Sequence, residues 1–316
     1  MERARKIAEG MRIDAEKVCT ETTAFIRERM DTLKREGVVM GLGGGLDSAV
    51  TATLCTRAVG AKKTTGLILK EEDSDRKELG DAVELAEGLG IETRIVEMTG
   101  QLKALGVYAM SPVLLKIPWP AKFAGTVTRK AQEFFREKTG ETAFAASLVG
   151  LAGKEFQSQL RSGNASYRAK SRLRMLMIYL HAERENRLVV GSANRTQLAV
   201  GYYVKHGCER GADALPLGGL YKTQVREVAG HLGIAAKLIE KPSKPEVLAG
   251  ITDEEAIGIS YEKLDTILFG IDKGWGDGEI AEAADVEGKE VAYVRKLCAG
   301  SEHMREAYVA RAWGAG

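Results

Sequence analysis

The sequence predicts an α/β fold, a doubly wound parallel sheet with helical segments at the N- and C-terminal ends. Short apolar runs alternate with amphipathic stretches at helical spacing through the first hundred residues, which is typical of a parallel sheet wrapped on both faces. A glycine-rich turn at residues 41–48 follows the first apolar run and precedes a helix. Because ligands of such folds bind at the carboxyl ends of the strands, this turn marks the expected site.

The first hundred residues supply most of the predicted sheet. An amphipathic helix is predicted at about 14–34, and its inward-facing residues are Val18, Phe25, Ile26, Met30 and Leu33. Strands are predicted at 38–40, 64–69 and 93–97. The intervening helices are predicted at 49–58 and at 79–89, where Gly90 ends the second one.

The rest of the chain contains an irregular stretch and then a second regular block. Pro112, Pro118 and Pro120 interrupt the stretch 100–169, in which we predict helices at 130–138 and 142–160. The second block is predicted as a helix at 170–183, a strand at 187–190, a turn at 191–194 and a helix at 221–232. Short connections favour one domain over residues 1–316, divided into a nucleotide-binding core (36–245), an insertion (about 100–168) and a helical tail (250–316).

Composition excludes several classes of protein. The net charge of +2 is too close to balance for nucleic acid or an anionic membrane to be the main partner, and no apolar run approaches membrane-spanning length. The four cysteines are scattered without a CxxC pair, which fits a reducing compartment, and the first seventeen residues contain no signal-peptide core. We therefore expect a cytoplasmic protein.

The glycine turn has a chemistry of its own. It reads Gly41-Leu42-Gly43-Gly44-Gly45-Leu46-Asp47-Ser48. Glycines let the main chain approach an anion, and the N–H groups of the following helix point at its charge. A Walker loop would end in Gly-Lys-Ser/Thr, whereas this turn offers a carboxylate for a metal and a hydroxyl for phosphate. It resembles the Ser-Gly-Gly-x-Asp-Ser pyrophosphate loop of the ATP pyrophosphatases.

Further motifs, in order and spacing, resemble those of NAD synthetase, a member of that superfamily with an adenine nucleotide alpha hydrolase-like, Rossmann-like fold. They comprise residues 172–175, 188–194, 201–205, 213–217, 220–226, 258–261 and 301–303. The resemblance covers nearly the whole chain. It implies that ATP, with Mg²⁺, adenylates the nicotinate carboxylate of deamido-NAD, and that ammonia then displaces AMP. It also implies a homodimer that shares the deamido-NAD site, and the short chain favours free ammonia or a separate glutaminase as the nitrogen source.

The resemblance also assigns roles to individual residues. Asp47 and Lys222 are the implied catalytic residues. The implied ATP-binding residues are Gly41, Gly43, Gly44, Gly45, Asp47, Ser48, Ser192, Lys222 and Ser243. The implied deamido-NAD contacts are Arg172, Lys205, Asp213 and His303. The implied metal positions are Asp47 and Gln197.

Several of these positions depart from the family pattern. Gly43 replaces a serine whose hydroxyl would donate to phosphate, Gln197 replaces a metal-binding glutamate, and Arg168 replaces an asparagine. One hypothesis is that Arg168 and the long insertion supply replacement contacts to phosphate. A related hypothesis makes the insertion a lid over the acyl adenylate.

Other functions stay open at this point. The chain could adenylate another carboxylate, or bind ATP without turnover. Glu71 and Glu72, at the end of the second strand, suggest a dinucleotide-binding oxidoreductase, and Cys208 suggests sulfur transfer. The helix–turn–helix spacing at 277–298 suggests DNA binding, although its mixed charges favour packing on the core.

Overall fold

The computed structural model describes residues 2–110, 121–149, 156–244 and 251–306. Four strands form one parallel sheet: β1 (Gly37–Gly41), β2 (Thr64–Lys70), β3 (Glu92–Glu97) and β4 (Arg187–Val189). Their order is β3-β2-β1-β4. The chain winds outward from β1 to β3 and then returns to the other side of β1, so the switch point lies between β1 and β4. This confirms the predicted fold class.

Helices surround the sheet and continue beyond it. Those before β4 are α1 (Glu2–Met11), α2 (Ala15–Thr32), α3 (Leu46–Val59), α4 (Arg76–Leu89), α5 (Thr99–Ala104), α6 (Ala121–Thr139), α7 (Ala143–Val149) and α8 (Gln157–Arg184). Those after it are α9 (Arg195–Val200), α10 (Lys222–Leu232), α11 (Ala236–Ile239), α12 (Asp253–Ile257), α13 (Tyr261–Asp272), α14 (Asp277–Ala284), α15 (Gly288–Gly300) and α16 (Glu302–Arg305). Single 3₁₀ turns lie at Ala61–Lys63 and Val107–Met110. Among the described helices, none is both long and apolar enough to cross a membrane.

Alternation along the strands divides the apolar side chains between two cores. Val38 and Met40 face a core formed with α2, α3, α4 and α10, whereas Val39 faces the opposite core, which is formed with α8. A third core joins α1, α7 and α13 to α15, and Tyr261, Leu264 and Val291 are among its buried residues. The sheet is therefore covered on both faces, and the helical tail has an apolar interior of its own.

The longest helix was predicted in two pieces, and that prediction was wrong. The stretch 142–160 is not one helix, because α7 ends at Val149 and a separate helix, α8, begins at Gln157; residues 150–155 lie outside the described ones. The segment 161–169, for which no helix was predicted, lies inside α8. Ser166 is buried and the Ser162 hydroxyl donates to the Met110 carbonyl at 2.7 Å, so tertiary contacts override the local preference.

Smaller differences between the prediction and the structure concern the ends of individual helices. Leu33 was predicted to face inward but is 45% exposed, because α2 ends at Thr32 and Leu33 lies at its C-cap. The helix predicted at 130–138 is confirmed and extends over Ala121–Thr139. The segment with Pro112, Pro118 and Pro120, and the end of the predicted tail at 307–316, lie outside the described residues.

The described part of the insertion packs on the segment after α9 and on the helical tail. Phe144 of α7 stacks edge-on against Tyr202 with ring centroids 5.0 Å apart, and the hydroxyls of Thr142 and Tyr293 lie 3.2 Å apart. The basic residues of the helix-turn-helix-like segment pair with acids, as Lys289 does with Glu287 at 2.6 Å and Arg295 with Asp277 at 2.5 Å. Val291, Val294 and Leu297 of α15 are buried in the third core. These contacts agree with a packing role for this segment.

Candidate functional site

The glycine turn lies at the carboxyl end of β1, where the structure requires glycine. Gly44 has a φ of +70°, and a Cβ there would lie 2.3 Å from the carbonyl oxygen of Glu78 in α4. Gly45 is the N-cap of α3, and the buried Ser48 hydroxyl donates to the Gly45 carbonyl at 2.9 Å. The turn therefore presents main-chain N–H groups at the start of α3, as an anion-binding loop does.

Asp47 and Lys222, which the sequence places 175 positions apart, form an ion pair beside this turn. The Lys222 ammonium donates to Asp47 Oδ2 at 2.6 Å, and its side chain is only 1% exposed, whereas the Asp47 carboxylate is 16% exposed. Asn194 Nδ2 donates to Asp47 Oδ1 at 3.3 Å. The two predicted catalytic residues are thus in direct contact, with the carboxylate nearer to solvent than the lysine.

A buried carboxylate that we did not predict holds the start of the helix that carries Lys222. Asp265 of α13 accepts from the Thr196 hydroxyl at 2.5 Å and from the Thr223 N–H at 2.8 Å. The same Thr196 hydroxyl accepts from the Lys222 N–H at 2.9 Å. Burial raises the pKa of Asp265 to about 6, against the lowering effect of these hydrogen bonds.

A second unpredicted carboxylate lies on the other side of Lys222. The Asp253 carboxylate accepts from the hydroxyls of Tyr261 and Tyr202 at 2.9 and 3.1 Å, and the Lys222 ammonium lies 5.6 Å from the centre of the Tyr261 ring. Burial raises the pKa of Asp253, while the nearby Lys222 charge opposes that rise. Tyr261 belongs to a recognised motif, but no local pattern singled out Asp253 or Asp265.

Gln197 takes part in a capping box at the start of α9. Its side-chain Oε1 accepts from the Asn194 N–H at 3.2 Å, while the Asn194 side chain accepts from the Gln197 N–H at 3.0 Å. Asn194 therefore connects Gln197 to Asp47, and Ser192 lies half-buried in the same turn after β4. In the described part of the chain no three His, Cys, Asp or Glu side chains form a metal-binding cluster.

The carboxylate of Asp47 can still suit a Mg²⁺ ion. Mg²⁺ is commonly held by one or two carboxylates together with substrate phosphates and water. Asp47, partly exposed beside an anion-binding turn, suits a Mg²⁺ that shares phosphate oxygens. The role of Gln197 as a metal ligand stays a prediction.

Hydrogen bonds link three of the four predicted dinucleotide contacts, which are Arg172, Lys205 and His303. Arg172 Nε donates to the Lys205 carbonyl at 3.2 Å, and the Lys205 ammonium donates to the carbonyls of His303 and Glu306 at 2.7 and 3.2 Å. Asp213 has different partners: its carboxylate accepts from the Val189 N–H and the Tyr179 hydroxyl, both at 2.9 Å. It therefore fixes the end of β4, and its role toward a ligand stays a prediction.

The remaining candidates have the following surroundings. Ser243 is half-buried, and its carbonyl accepts from the Asp253 N–H at 2.8 Å. Cys208 lies against the Ser171 hydroxyl, with 3.5 Å between sulfur and oxygen. Burial lowers the pKa of Arg168, and the neighbouring Arg172 charge adds to this effect.

Glu71 does not have the free carboxylate that a ribose-binding acid needs. It is 2% exposed and accepts from the Lys170 ammonium at 3.1 Å and from the Tyr108 hydroxyl at 2.7 Å. Lys170 also pairs with Asp73 at 2.5 Å. This cluster ties α8 to the loop after β2. Glu72 pairs with Lys103 at 2.6 Å, so neither acid of the oxidoreductase hypothesis has an unpaired carboxylate.

Known proteins resemble this chain over most of its length. The family model for NAD synthase matches residues 18–112 and 129–308. The NH(3)-dependent NAD(+) synthetase of Thermotoga neapolitana is 37% identical over 89% of this chain and 91% of its own length. The enzyme of the same name from Methanocaldococcus jannaschii is 34% identical over 92% of this chain and 94% of its own.

Solved structures share the fold. The NMN synthetase of Francisella tularensis superposes with a TM-score of 0.68 at 24% identity, covering 95% of this chain and 99% of that one. The NH3-dependent NAD synthetase of Campylobacter jejuni gives a TM-score of 0.65 at 21% identity, covering 95% and 100%.

Proposed function

The chain belongs to the NAD synthase family, and we propose that it is a carbon–nitrogen ligase that amidates deamido-NAD to NAD, using ATP and ammonia. AMP and pyrophosphate are the other products. The observation that carries this proposal is the Asp47–Lys222 ion pair beside the glycine turn, because it places a cation and a metal-binding carboxylate where a triphosphate meets main-chain N–H groups.

In the first step the deamido-NAD carboxylate attacks the α-phosphorus of ATP, and pyrophosphate leaves. The N–H groups at the glycine turn hold phosphate oxygens, and Lys222 moves its hydrogen bond from Asp47 to phosphate. Asp265 and Thr196 keep the start of α10 fixed during this exchange, and Asp253 holds the Tyr261 hydroxyl beside the lysine. The charge that develops on pyrophosphate is thereby met by groups already in position.

Asp47, once released by Lys222, is the residue that we propose for Mg²⁺. When bound, the metal neutralises phosphate charge and polarises the phosphorus under attack. Gln197 acts as a second ligand only if its side chain leaves the capping box with Asn194.

Deamido-NAD is proposed to bind on the side of Arg172, Lys205, Asp213 and His303. Arg172 is exposed, and Arg168, on the same helix, lies near enough for its pKa to be lowered by the Arg172 charge. Two neighbouring guanidinium groups suit a dinucleotide with two phosphates. Ammonia then attacks the acyl adenylate and releases AMP. A separate glutaminase subunit is the alternative nitrogen source, and we place the reaction in the cytoplasm.

A homodimer is proposed from an apolar pair on the same helix. Leu176 and Leu180 of α8, one turn apart, are 63% and 48% exposed. Such a pair suits contact with a second copy of the chain. Sedimentation of wild type and of the L176E/L180E double variant tests this; equal masses for both would contradict it.

One assay tests the proposed reaction. Purified protein is incubated with ATP, Mg²⁺, ammonium and deamido-NAD, and NAD and AMP are measured together. Equal amounts of both products support the proposal. AMP without NAD indicates another carboxylate or nucleophile, and bound ATP without either product indicates a nucleotide-binding protein without turnover.

A further inference from the structure

A lysine outside all the recognised motifs contacts the glycine turn. Lys241 follows α11, and its ammonium donates to the Gly44 carbonyl at 3.1 Å. The same ammonium pairs with Glu78 at 2.7 Å and with Asp81 at 2.6 Å, both in the first two turns of α4. An ammonium has three hydrogens to donate, so these three acceptors satisfy it completely.

The environment of this lysine is largely closed. Its side chain is 14% exposed, and those of Glu78 and Asp81 are 23% and 12% exposed. Burial favours the neutral amine, but the hydrogen bonds to Asp81 and Glu78 outweigh that effect and raise the pKa of Lys241. The ammonium therefore stays charged and joins three segments: the glycine turn, α4 and the chain after α11.

The contact matters because of where the turn touches α4. A Cβ on Gly44 would lie 2.3 Å from the Glu78 carbonyl oxygen, so the first turns of α4 are the wall behind the loop. Two carboxylates on this wall would repel a bound triphosphate if nothing neutralised them. Gly43 meanwhile lacks the hydroxyl that the resemblance leads one to expect, so the loop depends more heavily on its main chain.

We propose that Lys241 is a positioning residue for ATP: it holds the glycine turn against α4 and neutralises the carboxylates of Glu78 and Asp81 behind the phosphate site. This inference rests on the proposed function, since it assumes that the turn binds the phosphates of ATP. It adds a residue outside the set that the family resemblance implies.

The test compares two lysines that bridge to the same helix. Lys237 pairs with Glu84 of α4 at 2.5 Å, but both side chains are about half exposed and neither touches the glycine turn. The dissociation constant of a non-hydrolysable ATP analogue with Mg²⁺ is measured for wild type, K241M and K237M. For K241M we expect it to rise about tenfold, because the carboxylates of Glu78 and Asp81 would then repel the phosphates, and for K237M to stay within about twofold.

Two further variants separate this role from a general loss of structure. K241R keeps the charge and is expected to bind the analogue more tightly than K241M. The triple variant K241M/E78Q/D81N removes the repelling charges and is expected to regain part of the lost affinity. The KM for deamido-NAD should change by less than about twofold in K241M, because the Arg172 side of the site does not contact Lys241.

Specific results would overturn the inference. Equal analogue affinity in K241M and K237M would do so, as would a parallel loss of ATP and deamido-NAD binding together with a lowered melting temperature. Because binding of the analogue needs no turnover, the measurement tests the role of Lys241 even if the wild-type protein makes no NAD. A wild-type protein that does not bind the analogue would contradict both proposals.

Discussion

The two sides of the candidate site are built from different kinds of contact. On the ATP side, charged side chains contact one another or buried hydroxyls, and Lys222 and Asp265 are almost or fully buried. On the side proposed for deamido-NAD, Arg172 and Lys205 donate to main-chain carbonyls and lie nearer to solvent. The first side is preorganised by a connected polar network, whereas the second keeps its cations available for an anion from outside.

The largest effect is expected from removing the cation of the buried side. K222M should lower the rate of AMP formation in a single turnover by about a thousandfold, since it removes a preorganised donor to phosphate. The exposed K237M variant is the control and should keep the wild-type rate. A loss of less than about tenfold in K222M would mean that the buried network is not what drives the chemistry.

Asp265 offers a test of the same network through stability. Its pKa in the folded protein is about 6, above the value of a free aspartate, so the folded state holds the extra proton. Its contribution to stability is therefore present below about pH 4 and is lost as the pH rises to about 6, by about 3 kcal/mol.

The measurement is urea unfolding of wild type and D265N at several values between pH 4 and pH 7. Wild type should lose more stability than D265N over the window from pH 4 to 6, and the two curves should run parallel above it. Parallel curves throughout would show that this carboxylate is not held in a strongly desolvated position. K205M, on the exposed side, should reproduce the wild-type pH dependence.

A smaller and more selective effect is expected on the exposed side. R172A should raise the KM for deamido-NAD about tenfold and leave the KM for ATP within about twofold, because one charge-assisted contact to the dinucleotide is lost. The melting temperature should stay close to that of wild type, since Arg172 is a surface residue bonded to one carbonyl. Equal changes in both KM values would remove the distinction between the two sides.

The smallest effect should come from His303. Lys205 contacts its main-chain carbonyl, which H303A leaves in place. H303A should therefore change the KM for deamido-NAD by less than K205M does, by about threefold at most. A larger effect in H303A would show that the imidazole itself contacts the dinucleotide, as the family resemblance implies.

The sequence was sufficient for the parts of the molecule that local pattern determines. Strand and helix periodicity predicted the parallel sheet. The glycine turn and the family resemblance named Asp47 and Lys222 as site residues, but their ion pair was not predicted. Asp253, Asp265 and Lys241 have no such signal, because each matters through partners that are far away in the chain. Asp265, for example, contacts Thr196 across 69 positions.

Local signals also misled where packing was stronger. The sequence predicted one helix at 142–160, whereas α8 begins at Gln157 and continues through Gly163, whose neighbour Ser162 donates to the Met110 carbonyl. Gln197 is a different case: its role as a metal ligand stays a prediction, and in this structure its side chain completes the capping box of α9. The sequence alone does not show whether the Gln197 side-chain amide caps a helix or binds a metal.

The geometry of helix α8 limits which substitutions and insertions this protein can accept during evolution. Its 28 residues carry Lys170 into the buried cluster after β2, Arg172 to the side proposed for deamido-NAD, and Leu176 and Leu180 onto the surface. Because each residue turns a helix by about 100° and advances it by about 1.5 Å, inserting one residue after Lys170 would rotate the leucine pair away from its present direction. The directions of these groups depend on one helical register, so point substitutions can alter them singly but a change of length within α8 alters them together.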